Sequence, residues 1–179
     1  HESMRRARQR LAYDELFLLQ LGVQRQRQDW QSHNGAPLTI EQEQFAVFLN
    51  ALPFQLTGAQ QRVIDEIRAD VGRNRPMNRL LQGDVGSGKT IVAAATMVTA
   101  AWAGAQAALM APTEILAEQH YRGLCSLLEP MGLKVALLTG STPSAERQAI
   151  YSGLADGSIQ IAIGTHALIQ PVVTFRRLG

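Results

Sequence analysis

The stretch LLQGDVGSGKTIV, residues 80–92, is the strongest indication of the fold class of this 179-residue chain. It has phosphate-loop spacing, in which Gly83 is followed after four residues by Gly88, Lys89 and Thr90. Glycines let the backbone turn tightly, so its N–H groups and the positive end of the next helix face a phosphate. We predict that Lys89 contacts the β- and γ-phosphates of a nucleotide and that Thr90 ligates Mg²⁺. The predicted phosphate-binding residues are Gly83, Asp84, Val85, Gly86, Ser87, Gly88, Lys89 and Thr90.

Short apolar stretches alternate with helical patterns from Arg79 onward. Strand–helix units of about 25–30 residues are typical of a parallel sheet with helices on both faces. We therefore predict an α/β fold of the P-loop NTPase (RecA-like) class, preceded by an all-helical extension. The strands are expected near residues 79–82, 107–111, 135–139 and 159–164. The helices are expected over 4–30, from Thr39, from Thr57, and over 88–103, 114–128 and 143–154.

Composition sets limits on the class of protein. The formal net charge is only +2, so any contact with DNA must come from local placement of groups. Residues 91–112 carry no charge but are rich in alanine, and we interpret them as a buried helix and strand, not a membrane span. One cysteine excludes an internal disulfide. We expect a cytoplasmic protein with no membrane partner.

Gln60 lies in FQLTGAQQRVIDEI, upstream of the phosphate loop. Its amide can donate and accept a hydrogen bond, as the N6 and N7 edge of adenine requires. Thr57 and Gln60 also have the spacing of a helix capping box. Spacing alone leaves both interpretations open.

Five ordered blocks resemble the RecG family of bacterial branched-DNA helicases: FQLTGAQ, RPMNRLLQGDVGSGKT, APTEILAEQHY, LLTGS and IGTHALI. The resemblance runs from about Leu11 to Gly179 and includes LAYDELFLLQLG, which is similar to the segment joining the wedge domain of that family to its motor. It implies a helical linker over residues 1–52 and the N-terminal part of the first RecA-like motor domain over 53–179. It also implies ATP and Mg²⁺ as cofactors, with Gln60 at the adenine.

The resemblance further implies contact with a DNA strand at three blocks. Each block follows an expected strand, where small residues expose backbone N–H groups that bind phosphates without reading bases. For Thr113 and Ser141 helix capping is an open alternative, and for His166 a structural role is. The implied DNA-binding residues are Pro112, Thr113, Gly140, Ser141, Gly164, Thr165 and His166.

Hydrolysis in this family needs carboxylates that hold Mg²⁺ and orient water. The family places them in a D-E-x-H block after a strand, and no acidic residue after Lys89 fits that pattern. We therefore expect a helicase fragment, incomplete at its C-terminus, that does not hydrolyse ATP or unwind DNA alone. Its expected partners are branched or forked DNA, through the whole protein, and the missing wedge and second motor domains. The missing strand also predicts an incomplete sheet.

Two other interpretations have different consequences. The transcription-repair coupling factor has a similar motor in RPMNRLL and GDVG, but QGDVGSGKT and APTEILAEQHY favour RecG. A nucleotide-binding switch module would bind nucleotide without any linkage to DNA. A P-loop kinase would leave APTEILAEQH and GTHAL unexplained.

Overall fold

The structure, a computed structural model, describes residues 2–179, without the side chains of residues 30 and 31. Residue 1 of the expected linker lies outside this description. The helices are α1 (Glu2–Ser32), α2 (Gln42–Asn50), α3 (Gly58–Val71), α4 (Lys89–Trp102), α5 (Glu114–Leu128) and α6 (Ser144–Asp156). The strands are β1 (Ala107–Met110), β2 (Val135–Leu138) and β3 (Ile161–Gly164). Short 3-10 turns follow at Glu129–Met131 and His166–Ile169.

The three strands form a parallel sheet in the order β1–β3–β2. Successive side chains of a strand point to opposite faces, and the burial follows that rule. Ile161 and Ile163 of β3 join a core with α4 and α5, whereas Ala162, between them, joins a second core with α6. The expected α/β class, with an incomplete parallel sheet flanked by helices, is confirmed.

Helix α4 follows the phosphate loop and is the most buried helix of the described residues. Nine of its residues are buried, including Ala94, Val98 and Thr99. Their small side chains let neighbouring elements approach closely on several sides, which accounts for the uncharged stretch from α4 into β1. No helix among the described residues is long and apolar enough to cross a membrane.

Helices α2 and α3 pack beside α4 and connect the first part of the chain to the core. Phe45 and Phe48 of α2 are fully buried, and the Arg68 guanidinium lies 4.0 Å from the centre of the Phe45 ring. The prediction that α2 starts at Thr39 was wrong, because the helix starts at Gln42 with no side-chain cap. The preceding segment remains extended, with Leu38 buried and its N–H bonded to the Val71 carbonyl.

The strand expected over residues 79–82 is not formed. An extended segment becomes a strand only when a neighbour pairs with it, and the sheet consists of β1, β3 and β2, none of which pairs with this segment. Among the described residues, 79–82 form no backbone hydrogen bond to another segment, and Leu80 is 87% exposed. Ion pairs of Arg79 with Asp70 and Glu66 of α3 attach the first residue of this segment to the fold instead.

Helix α1 is 31 residues long, and Ala12, Leu16, Leu19 and Val23 form an apolar stripe at the helical spacing from which the sequence predicts this helix. Leu16 and Leu19 are each 67% exposed, and Val23 is 57% exposed. The pattern therefore predicted the helix correctly, whereas the stripe is not covered by the described residues.

Candidate functional site

The predicted phosphate loop leads directly into α4. Gly86 and Gly88 adopt left-handed backbone angles, with φ of 82° and 81°, which side chains other than glycine rarely tolerate. Gly88 is the N-terminal cap of α4, so the first N–H groups of a fourteen-residue helix open toward the loop. The loop therefore presents unpaired donors and a positive helix end, the arrangement that binds phosphate.

Lys89 folds back across this loop. Its ammonium donates hydrogen bonds to the Gly83 and Asp84 carbonyl oxygens, each at 2.7 Å. The cation is thus held at the loop by its own backbone while its side chain stays exposed. Thr90, the next residue, is also exposed on the first turn of α4.

The other predicted loop residues differ in exposure and contacts. Val85 is fully exposed at the tip of the loop, next to Gly86. The Ser87 N–H donates to the Asp84 carbonyl at 3.1 Å, which closes the turn. A side chain at Gly83 would lie 2.6 Å from the Ser87 hydroxyl, so that hydroxyl would have to rotate away.

Gln60 contacts both its own helix and the phosphate loop. The Thr57 N–H donates to Gln60 Oε1 at 2.9 Å and the Gln60 N–H donates to Thr57 Oγ1 at 3.3 Å, so the capping box is formed. Gln60 Nε2 donates to the Ser87 carbonyl at 2.9 Å. A methyl group at Gly88 would overlap this amide. The capping alternative is confirmed, and the same amide also borders the phosphate loop.

The three candidate DNA blocks lie together at one edge of the sheet. Met110 of β1 and Leu138 of β2 are both in register with Gly164 of β3, so the strands end level. The residues after each strand therefore meet at the carboxyl edge. Those exposed there are Pro112, Thr113, Gly140, Ser141 and His166.

Two of the candidate DNA residues are buried, unlike the others. A side chain at Gly164 would overlap the Leu138 carbonyl oxygen, so glycine lets β3 approach β2. Thr165 is 3% exposed, and its N–H donates to that same carbonyl at 3.3 Å. The Thr165 hydroxyl is buried with no hydrogen-bond partner among the described residues. At the end of β3 the sheet itself thus uses the backbone N–H of Thr165.

Thr113 and Ser141 have different local roles. Thr113 caps α5, because its hydroxyl accepts from the Leu116 N–H at 3.3 Å. Ser141 does not cap α6, whose N-terminal cap is Pro143. Its hydroxyl instead donates to Glu114 Oε2 at 2.7 Å, and its N–H donates to Glu114 Oε1 at 3.2 Å.

Glu114 is the residue at this edge that the sequence pattern did not reveal. The Ser141 hydroxyl that donates to it holds the pKa of the Glu114 carboxyl below its ordinary value, against the opposing effect of burial. The backbone N–H groups of Ser141 and Gly140 and the charge of His166 lower the pKa further. Glu114 and Ser141 are 27 residues apart, so no local spacing links them.

Arg147 is a second such residue, because its guanidinium donates to the carbonyl oxygens of Gly140 and Thr142, both at 2.9 Å. It holds the turn that carries Ser141 from the side of α6. Among the residues that the structure describes, no group of three or more His, Cys, Asp or Glu is arranged to hold a metal ion.

A profile of the DEAD/DEAH box helicase family matches residues 57–178. The chain belongs to the DEAD/DEAH box helicase family. The match covers α3, the phosphate loop and all three strands, so the candidate site lies inside the helicase region.

Relatives of this helicase chain carry a more specific description. It is 51% identical over 179 residues to the ATP-dependent DNA helicase RecG of Synechocystis sp., covering 99% of this chain and 22% of that protein. It is 50% identical to the ATP-dependent DNA helicase RecG of Thermotoga maritima, covering 98% of this chain and 23% of that protein. The predicted resemblance to RecG is confirmed, and the chain spans about a quarter of these relatives' length.

A solved structure described as RecG bound to a three-way DNA junction superposes on this helicase chain with a TM-score of 0.88. The identity is 51%, and the match covers 97% of this chain and 24% of that one.

Proposed function

We propose that this chain binds ATP with Mg²⁺ in the loop of residues 83–90 and forms part of the motor of a branched-DNA helicase. The observation that carries the proposal is the loop itself, in which Lys89 directly follows the left-handed Gly86 and Gly88 and is held by the loop carbonyls at the start of α4. Bound phosphates would offer the ammonium anionic oxygens in place of two carbonyls, and hydrogen bonds to charged groups are the stronger kind.

The residues present fit the nucleotide. Lys89 would contact the β- and γ-phosphates, the loop N–H groups would surround the β-phosphate, and the exposed Thr90 hydroxyl would ligate Mg²⁺. ATP with Mg²⁺ supplies the free energy of a transferable phosphoryl group. Gln60 would bind the adenine with both amide atoms. Nε2 would donate to N7 in place of the Ser87 carbonyl, and Oε1, which has two lone pairs, would accept from N6 while it still accepts from the Thr57 N–H of the capping box.

The strand-end edge is our proposed DNA surface. Its exposed residues, Pro112, Thr113, Gly140, Ser141 and His166, would contact the phosphates of one strand, while Gly164 and Thr165 would shape the edge. The similarity to proteins named DNA helicases, one of them solved on a three-way junction, supports branched DNA as the substrate of the whole protein.

We also propose the division into a linker over residues 1–52 and a motor over 53–179, and a cytoplasmic location with the bacterial chromosome. The inability of these residues to hydrolyse ATP alone stays a prediction, measured as phosphate release with and without forked DNA.

The test is Lys89→Ala, with Lys134→Ala as a matched control. The chain has two lysines, and Lys134 is an exposed residue just before β2, outside the phosphate loop. Loss of charged hydrogen bonds to phosphate should weaken binding of a fluorescent ATP analogue on the order of a hundredfold. The Lys134 variant should bind like the unmodified chain. Equal affinity of both variants would refute the nucleotide site.

A repeat of the titration with forked DNA separates the motor from a switch module. If bound nucleotide changes the affinity for DNA, bound DNA must change the affinity for nucleotide by the same factor. Identical nucleotide affinities with and without DNA would favour the switch module.

A further inference from the structure

Glu114 occupies the donors that a DNA phosphate would need at the strand-end edge. A phosphodiester offers two anionic oxygens, and Ser141 offers two donors, its N–H and its hydroxyl. Both are already bonded to the two oxygens of one carboxylate, at 3.2 and 2.7 Å. The approach is tight, since a side chain at Gly140 would lie 2.9 Å from Glu114 Oε1.

The contact joins the ends of β1 and β2, and the end of β3 acts on it through charge. Glu114 is the first residue of α5, after the β1 block, while Gly140 and Ser141 follow β2. The charge of His166, after β3, also acts on this carboxyl. An anion therefore lies where the three candidate DNA blocks converge.

We infer that Glu114 is an internal competitor that occupies the phosphate position at Ser141 and must be displaced by a DNA strand. The inference rests on the proposed function, because it needs DNA at this edge. A carboxylate and a phosphate near the same donors repel each other, so Glu114 lowers the affinity of the edge for DNA. A motor that moves along a strand has to release each phosphate, and a resident anion provides a replacement partner for Ser141.

The chain offers a matched control for this charge. Glu118 lies on α5 one turn after Glu114 and pairs with the exposed Arg122, not with a strand-end residue. Glu114→Gln and Glu118→Gln each remove one negative charge from the same helix, so both alter the net charge equally. Only the first removes an anion from the donors of Ser141.

The experiment measures binding of a fluorescent single-stranded oligothymidylate to the unmodified chain and to both variants at low salt, after circular dichroism has shown that all three are folded. A unit charge about 4 Å from a phosphate in water corresponds to roughly five-fold in affinity, so we expect Glu114→Gln to bind about five-fold more tightly. The gain should shrink as salt rises, because the charges are screened. Glu118→Gln should stay within about two-fold of the unmodified chain, because screening weakens the effect of a more distant charge.

The outcomes separate the inference from the proposed function. If DNA binds and Glu114→Gln equals Glu118→Gln, the competitor is overturned while the DNA surface stands. Weaker binding by Glu114→Gln overturns it too, since Glu114 would then position Ser141 for DNA. If neither the unmodified chain nor Glu114→Gln binds the oligonucleotide, the DNA surface fails, and the competitor fails with it.

Discussion

Gly164→Ala tests whether the level ends of the parallel strands depend on a missing side chain. At this position a methyl group would overlap the Leu138 carbonyl oxygen and lie 2.9 Å from its carbon. Both atoms belong to the backbone of β2, so no side-chain rotation can relieve the overlap. The strands would have to move apart where Thr165 also donates to Leu138.

The magnitude follows from a comparison of two glycines. Overpacking of a well-packed interior lowers the free energy of unfolding by about 1–3 kcal/mol. At Gly123, on α5, a methyl group would have no atom within 4 Å, and alanine is favoured over glycine in a helix by about 1 kcal/mol. The same substitution should therefore destabilise the chain at Gly164 and stabilise it at Gly123, with a difference of about 2–4 kcal/mol.

Thermal unfolding followed by far-ultraviolet circular dichroism measures this difference. For a domain of this size 1 kcal/mol shifts Tm by about 2–4 °C, so the two variants should melt roughly 5–15 °C apart. Urea unfolding at fixed temperature provides an independent value. If Gly164→Ala melts with Gly123→Ala or above it, the close approach of β3 to β2 is not what requires glycine.

Two further substitutions test side chains that join distant segments. Gln60→Ala removes one partner of the capping box and the side-chain bond to the Ser87 carbonyl. We expect the free energy of unfolding to fall by about 1 kcal/mol and the preference for ATP over GTP to become smaller. Gln61→Ala is the neighbouring control. An unchanged preference in nucleotide titrations would return Gln60 to capping alone. Gln106→Leu should lower the free energy of unfolding by about 3 kcal/mol or more, because the buried amide forms hydrogen bonds with the backbone of Leu154, Ile159 and Arg177. Urea unfolding measures this loss, with Gln119→Leu at an exposed position as the control. Equal urea midpoints for these two would contradict that role.

Sequence spacing predicted those features that depend on neighbours along the chain. The capping box, one of the two alternatives that the spacing left open, needs only Thr57 and Gln60, three residues apart, and it is formed. The left-handed glycines of the phosphate loop follow from the local turn, and α5 has the predicted bounds. In each case the partners lie within one helical turn or one loop, so no distant segment is needed to form them.

The wrong predictions concern partners far along the chain. Thr39 and Gln42 have capping spacing, but burial of Leu38 and its bond to Val71 keep that segment extended. Residues 79–82 are apolar enough for a strand, but a strand also needs a hydrogen-bonded neighbour, and no local pattern reveals whether another segment lies beside it. The apolar periodicity of α1 predicted a helix correctly, but it does not indicate which surface, if any, covers the apolar stripe.

The phosphate loop, the parallel α/β class and the family resemblance can be predicted from the amino-acid sequence, because glycine angles, capping and apolar periodicity are properties of short segments. Three features emerge only from the packed fold: the level ends of the strands, the bonds by which Gln106 connects segments up to 71 residues apart, and the contact of Glu114 with Ser141. These contacts form between groups that the chain brings together only after its helices have packed on the sheet. Their energy depends on burial and distance in space, and spacing along the sequence carries neither.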